Sequence, residues 1–237
     1  MSAGEPLRLA DDARISIGEP LRLVGGTRAL FTARAHGNLS STGGAGAEHG
    51  ALARERLRTL AGVRRLARGY QVHGTAVRRI ADMPPTGQGG EADGQATGLA
   101  GVGAMVLSAD CLPVALGCES AVAMVHAGWR GLAAGVLEEG VRALRELGGQ
   151  GETVAVLGPC AGACCYEVGQ EVHAAFGGVH GAGGRIDLRA IAHERLLAAG
   201  VAEVRDVAAC TICDERFFSH RREGVRAGRQ AGVAWLS

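Results

Sequence analysis

The sequence predicts an α/β fold: one domain with mixed β-sheets flanked by helices. Three observations predict it. Strand-like and helix-like apolar patterns alternate along the chain, as they do in layered α/β architectures. No linker of domain scale divides them, so residues 1–237 are read as a single domain. Finally, 237 residues, 47% apolar and 21% charged, can bury a full core without disulfide or metal staples. With 3% aromatic residues, that core must be built mainly of Ala, Val, Leu and Ile.

The elements follow in order. "GEPLRL" occurs twice, at Gly4–Leu9 and Gly18–Leu23, read as two short strands with a turn near Asp11–Asp12. "RALFTAR" is a strand ending at Arg34, followed by a Gly/Ser-rich loop. In "ALARERLRTLAG" the apolar residues recur at helical spacing, and Gly62 stops the helix. "GYQVHGTAVRRI" is a strand interrupted at His73–Gly74, and "DMPPTGQGGEADGQATG" is a long polar loop. The apolar runs Ala104–Leu107, Val114–Leu116, Ala121–Val125 and Val154–Leu157 are strands. Among them, a helix from about Leu132 to Leu147 puts Leu132, Val136, Leu137, Val141 and Leu144 on one stripe. Two helical patterns follow the turn "GPCAGACCYEVG". The second, Leu188–Ala199, has Asp187 as N-cap and Gly200 as stop. "AEVRDV" and "GVAWL" are the last strands.

Composition removes several classes of function. A net charge of +1 offers no nucleic-acid stripe and no polybasic membrane patch. Every basic side chain is arginine, so Schiff-base, P-loop and general-base lysines are excluded. The opening residues lack the apolar region of a secretory signal, and no apolar run reaches the ~18 residues of a membrane span. Seven cysteines, an odd number in a chain of this size, point to a reducing cytoplasm with free or metal-bound thiols.

The chemistry-bearing candidates are His73, Cys111 and His126. In "SADCLPVALGCESAVAMVHAGWRG" two apolar runs flank the polar turn Gly117–Ser120. A hairpin centred there sets Leu116 against Ala121 and Cys111 against His126. Directly opposed residues have Cβ atoms ~4.5–5.5 Å apart. A thiolate and an imidazole at that separation can share a metal, or act as a nucleophile and its base. Pro113 interrupts the ladder and marks an edge or bulge. In "HAGWRG" a helix begins beside Arg130, which suits an anion; Trp129 and Arg130 also read as a packing anchor and a surface charge.

Five motifs, in this order, carry a resemblance: "YQVHGT", "ADCLPV", "VHAGWRG", "GPCAGACCYEVG" and "FFSHRREG…GRQAG". Together they resemble the laccase-domain family, also described as polyphenol-oxidase-like or purine nucleoside phosphorylase-like. The resemblance extends from "LFTAR" to "GRQAGVAWL", nearly the whole chain. It implies a layered α/β sandwich and a metal, usually zinc, held by His73, Cys111 and His126. It also implies phosphorolysis of purine nucleosides (adenosine, inosine, methylthioadenosine) and deamination of adenosine, so the expected partners are purine nucleosides and phosphate. Three N/S ligands leave a tetrahedral position open, as in catalytic zinc sites. Phosphorolysis also needs an anion site. Arg34, ending the "FTxR" pattern, is the first choice for it, with Arg130 and Arg229 behind. The family's Gly-Gly loop is shortened here to "AHGNLSSTGGAGAEHG", so Asn38 is not carried over.

Other readings stay open at this point. Copper in the same site would give a polyphenol oxidase, because Cu(II) binds such ligands more tightly than zinc. Without metal, Cys111 would be the nucleophile of a hydrolase, with His126 or His73 as base. Editing of peptidoglycan precursors and a purely non-enzymatic binding role are the remaining two. Cys160, Cys164 and Cys165 read as packing and wall residues, with Tyr166 and Glu167 beside the pocket. On this reading the metal depends on Cys111 and not on Cys165. "CTIC", at Cys210 and Cys213, would need two further thiols for zinc, which Cys160 and Cys164 could supply.

Overall fold

Strands that are apolar on both faces need both faces covered, and the chain meets this with four layers. The structure, a computed structural model, describes residues 16–178 and 184–237. The first "GEPLRL" copy and the turn near Asp11–Asp12 lie outside them. The strands are β1 (Leu21–Arg22), β2 (Thr27–Phe31), β3 (Arg65–Tyr70), β4 (Val77–Ile80), β5 (Gln88–Glu91), β6 (Gly94–Thr97), β7 (Val102–Ser108), β8 (Leu112–Gly117), β9 (Val122–Ala127), β10 (Val154–Leu157), β11 (Glu203–Asp206) and β12 (Gln230–Leu236). The helices are α1 (Gly50–Ala61), α2 (Trp129–Ala134), α3 (Val136–Glu146), α4 (Gln170–Ala175), α5 (Leu188–Ala198) and α6 (His220–Glu223).

Two six-stranded mixed sheets result, ordered β1-β2-β12-β7-β3-β5 and β11-β10-β8-β9-β6-β4. Their inner faces pack on each other through Phe31, Val106 and Ala234 of the first and Ala115, Met124 and Val156 of the second. The alternate residues face outward. Leu30, Met105 and Val233 meet α1, while Leu116, Ala123 and Val125 meet α3 and α5. The two-residue period of a strand thus assigns Val122 and Met124 to the sheet interface and Ala123 and Val125 to the helical layer. This is the α/β sandwich with mixed sheets flanked by helices that the sequence predicts.

Four local expectations are corrected. The helix over 132–147 is two helices. Gly135, at φ 100°, closes α2 by donating its N–H to the Gly131 and Leu132 carbonyls, and α3 starts at the next residue. The polar loop after Ile80 contains two strands. One of them, β6, is fully buried between β9 and β4 despite its Gly, Gln and Thr residues. The strand before Arg34 stops at Phe31, and Arg34 opens a turn of 3-10 helix.

The hairpin register is also corrected. Leu116 pairs with Ala123, and His126 faces Pro113 rather than Cys111. The turn spans Cys118–Ala121, closed by the Cys118 N–H on the Ala121 carbonyl at 3.0 Å, so the register moves by two residues. A shift of two keeps every side chain on its face.

Candidate active site and metal centre

His73, Cys111 and His126 come from three segments that meet at one end of the sandwich. His73 lies in the loop between β3 and β4, Cys111 in the passage from β7 to β8, and His126 near the end of β9. Their ligand atoms all lie within 4.8 Å of one another. Cys111 Sγ is 3.7 Å from His73 Nε2, and the two imidazoles meet edge to face with centroids 5.0 Å apart. His126 is buried, Cys111 partly so, and His73 exposed. The cluster is therefore rooted in the core and open on one side.

Two aspartates that sequence reasoning missed hold the cluster. Asp93 is fully buried. Its carboxylate accepts the N–H groups of Val72, His73 and Gly74 at 3.1, 3.0 and 2.8 Å. It also accepts Nδ1–H of His126 at 2.8 Å. One carboxylate thus fixes the loop of one histidine and the tautomer of the other, leaving His126 Nε2 for a ligand. This is the outer-shell carboxylate that metal-bound histidines use. His73 keeps a φ of 61°, a strained value that persists only where surroundings enforce it; the three N–H bonds to Asp93 are that enforcement.

Asp110, with φ 86°, does the same for Cys111. Its carboxylate accepts Thr211 Oγ1–H at 2.7 Å, Ser219 Oγ–H at 3.1 Å and the Arg221 N–H at 2.7 Å. Its carbonyl accepts the Ala161 N–H at 2.8 Å. The only signals for the two were their neighbours: Asp110 sits in "ADC", and Asp93 in a Gly-rich segment read as loop.

The electrostatics follow from this packing. Burial pushes the Cys111 thiol up, but the imidazoles of His126 and His73 outweigh it and bring the thiol well below its usual value. Burial opposes the charged His126, and the Cys111 sulfur and Asp93 overcome that. The pair favours thiolate and imidazolium. Burial raises the Asp93 carboxyl, and hydrogen bonds from His126, Gly74 and Val72 more than offset it. Tyr166 is pushed up to about 12, first by burial and then by the Cys111 charge, so its phenol stays neutral beside the thiol.

Space is as constrained as charge. A Cβ on Gly128 would sit 2.7 Å from His73 Cδ2 and 3.3 Å from Cys111 Sγ.

The arginines are placed as follows. Arg34 donates to the carbonyls of Glu215 and Phe217 and to Glu223 Oε1, and lies over the Phe218 ring at 4.3 Å. Phe218 in turn packs on Ala109, two residues from Cys111. Arg130 stacks on Trp129 at 4.3 Å, on a helix of six residues. Arg229 donates to the carbonyls of Ala227 and Gly228. Asn38 organises its own loop, donating to the Gly43 and Ala45 carbonyls. A separate groove of about 300 Å³, bounded by Arg54, Arg58, Arg64, Arg65 and Arg68, shares no residue with the cluster.

The cysteines of the "GPCAGACCYEVG" turn divide. Cys160 is fully buried in the core, as a packing residue should be. Cys164 and Cys165 instead face Cys210 and Cys213. No helix among the described residues is long and apolar enough to cross a membrane.

Fold and site together define a layered α/β protein with a His/Cys group, where its two sheets meet, that could hold a metal ion. The chain belongs to the family described as multi-copper polyphenol oxidoreductase laccase, whose pattern matches residues 22–237. It is 42% identical, over 193 residues and 70% of each chain, to a purine nucleoside phosphorylase of Xylella fastidiosa. It is 38% identical, over 180 residues covering 70% of this chain and 72% of the other, to the purine nucleoside phosphorylase YfiH of Escherichia coli K12. Among solved structures, the Neisseria meningitidis protein NMB0706 superposes with a TM-score of 0.78 at 31% identity, covering 91% of this chain and 96% of that one. YlmD from Geobacillus stearothermophilus gives 0.76 at 26% identity, covering 89% and 92%.

Proposed function

We propose that the chain is a zinc-dependent purine nucleoside phosphorylase acting on adenosine, inosine and methylthioadenosine, with adenosine deamination at the same site. One observation carries the reading: the His73, Cys111 and His126 ligand atoms converge within 4.8 Å while Asp93 fixes the His126 tautomer. The names of the relatives support an enzyme of this class.

The donor set fits zinc. One sulfur and two nitrogens leave a fourth tetrahedral position open, and the exposed side of His73 gives access to it. When bound, zinc supplies Lewis acidity for the departing purine and for activating water in deamination. The chain's own residues do the rest. Asp93 and Asp110 hold the ligands against reorganisation, and Tyr166 walls the pocket as a neutral phenol. Arg34, across Phe218 from Ala109, is the proposed phosphate contact, since its Nη1 carries none of the bonds described above. Phosphorolysis then joins a phosphate oxygen to ribose C1′ as the bond from C1′ to the purine nitrogen breaks, its electron pair leaving with the base.

A second reading has its own observation. The Cys111–His126 pair favours thiolate and imidazolium, and Asp93 backs the imidazole; this is the arrangement of a cysteine hydrolase. The multi-copper reading has less support: among the described residues one ligand cluster contains histidine, and it contains two.

Incubation with adenosine and inosine, with and without phosphate, tests the proposal by chromatography. Free purine base formed only with phosphate, and abolished by chelation, is the expected result. Activity that needs Cys111 and survives chelation would support the hydrolase instead.

A further inference from the structure

Four cysteine sulfurs form a second cluster, which the proposed chemistry does not use. β10 and β11 run parallel, Val154 beside Glu203 through Leu157 beside Asp206. The pairing continues past their ends, where the backbones of Cys160 and Cys210 pair as one further parallel β-bridge and the Thr211 N–H donates to the Cys160 carbonyl at 2.9 Å. The two segments that follow are thereby held side by side. One carries Cys164 and Cys165, the other Cys210 and Cys213. All four sulfurs lie within 4.8 Å of one another. Cys213 Sγ is 2.7 Å from Cys165 Sγ and 3.4 Å from Cys164 Sγ.

We propose that Cys164, Cys165, Cys210 and Cys213 bind a structural zinc ion. A tetrahedron with Zn–S bonds of ~2.3 Å has edges of ~3.8 Å, within the span the four sulfurs occupy. Cys210-x-x-Cys213 has the short spacing of zinc-binding pairs. The Gly162 N–H points at Cys210 Sγ at 3.2 Å, an amide-to-sulfur bond that stabilises a thiolate ligand. Gly162 also packs closely on the cluster, since a Cβ there would lie 3.1 Å from Cys210 Cβ and 3.3 Å from Cys164 Sγ. Four thiols from two loops close the coordination shell, as structural rather than catalytic sites do. Cys165 takes the place that spacing alone gave to Cys160, because Cys160 is buried in the core.

The location gives the ion a role. Thr211, between the two cysteines of "CTIC", donates to Asp110 beside Cys111. Tyr166, next to Cys165, is near enough to Cys111 to feel its charge. Zinc at the four thiols would clamp together the two loops that hold one side of the His73, Cys111 and His126 cluster.

Metal analysis of the Cys111→Ala protein, purified without added metal, tests this apart from the first site. The proposal expects about one zinc per chain to remain, and the Cys111→Ala/Cys210→Ser/Cys213→Ser protein to lose it. Should the triple variant fail to fold, alkylation of Cys111→Ala protein followed by mass spectrometry decides. Four cysteines protected until a chelator is added support the site. Protection released by a reductant and not by a chelator means a disulfide, and overturns it. So does free alkylation from the outset. Cobalt substitution of Cys111→Ala protein should further give the thiolate-to-metal charge-transfer absorption of a four-sulfur site; its absence overturns the proposal.

Discussion

Asp93 and His126 are joined twice: the His126 backbone N–H donates to the Asp93 carbonyl at 2.6 Å, and His126 Nδ1–H donates to the Asp93 carboxylate at 2.8 Å. The first bond fixes the strand end and the second fixes the ring. Asp93→Asn keeps the size and removes the charge that orients the imidazole. It should weaken metal binding at the His73, Cys111 and His126 cluster by about 10–100-fold, read by competition with a chromogenic chelator. Unchanged affinity would show that the carboxylate serves only the loop.

Removing the thiol acts on the same site directly. Cys111→Ala should abolish metal at this cluster and nucleoside turnover together, with far-ultraviolet circular dichroism unchanged. Chelation of the unmodified protein should have the same effect on activity, and added zinc should restore it. Recovery with zinc in the unmodified protein but not in the variant is the expected pattern.

Gly128→Ala tests the room around the ligands. The Gly128 backbone, at φ −66°, accepts any residue, so folding should be little affected. The new methyl would meet His73 Cδ2 at 2.7 Å and Cys111 Sγ at 3.3 Å. Turnover should fall at least as far as metal affinity does, while the denaturant midpoint moves little.

Glu223 gives a pH signature. Burial raises its carboxyl, but hydrogen bonds and charge from Arg34 and Arg222 prevail and leave it below its ordinary value. A carboxyl depressed in the folded state stabilises the fold above its unfolded pKa, about 4.3. That contribution is lost as pH falls through the lower folded value. Urea midpoints of the native chain and Glu223→Gln should therefore differ at neutral pH. The difference should begin to shrink below about 4.3 and vanish once the pH is under the lower folded value. A gap independent of pH would count against the charge as its cause.

Gly135 ends one helix and begins the next at φ 100°. Gly135→Ala puts a side chain where L-residues are strained. It should cost about 1–2 kcal/mol, measured by urea unfolding at unchanged m-value.

Much of this was legible in the sequence, for physical reasons. The helix over 51–61 and its Gly62 stop follow from spacing and left-handed geometry. Asp187 caps its helix as its residue type predicts, accepting the N–H groups of Arg189 and Ala190. The hairpin register was off by two, yet Cys111 and His126 still meet, because strand faces repeat every two residues. Asp93 was hidden because its partners are backbone N–H groups about twenty residues away. β6 was hidden because a Gly, Gln, Ala and Thr strand has no apolar signature; its burial comes wholly from its neighbours. The four-thiol cluster needed the pairing of β10 with β11, which local pattern does not specify.

The passage through Cys111 carries the chain from β7 in one sheet to β8 in the other, while the loop of His73 follows β3 of the first sheet and His126 belongs to β9 of the second. An ion gripped by all three therefore recognises only a chain whose two sheets are docked at this edge. Occupancy and assembly of the sandwich become one thermodynamic quantity: free metal at a hundred times its Kd would add about 2.7 kcal/mol to the folded state. With metal bound there as proposed, the same three residues would also fasten the two sheets, and the melting temperature would gauge how much metal the protein holds.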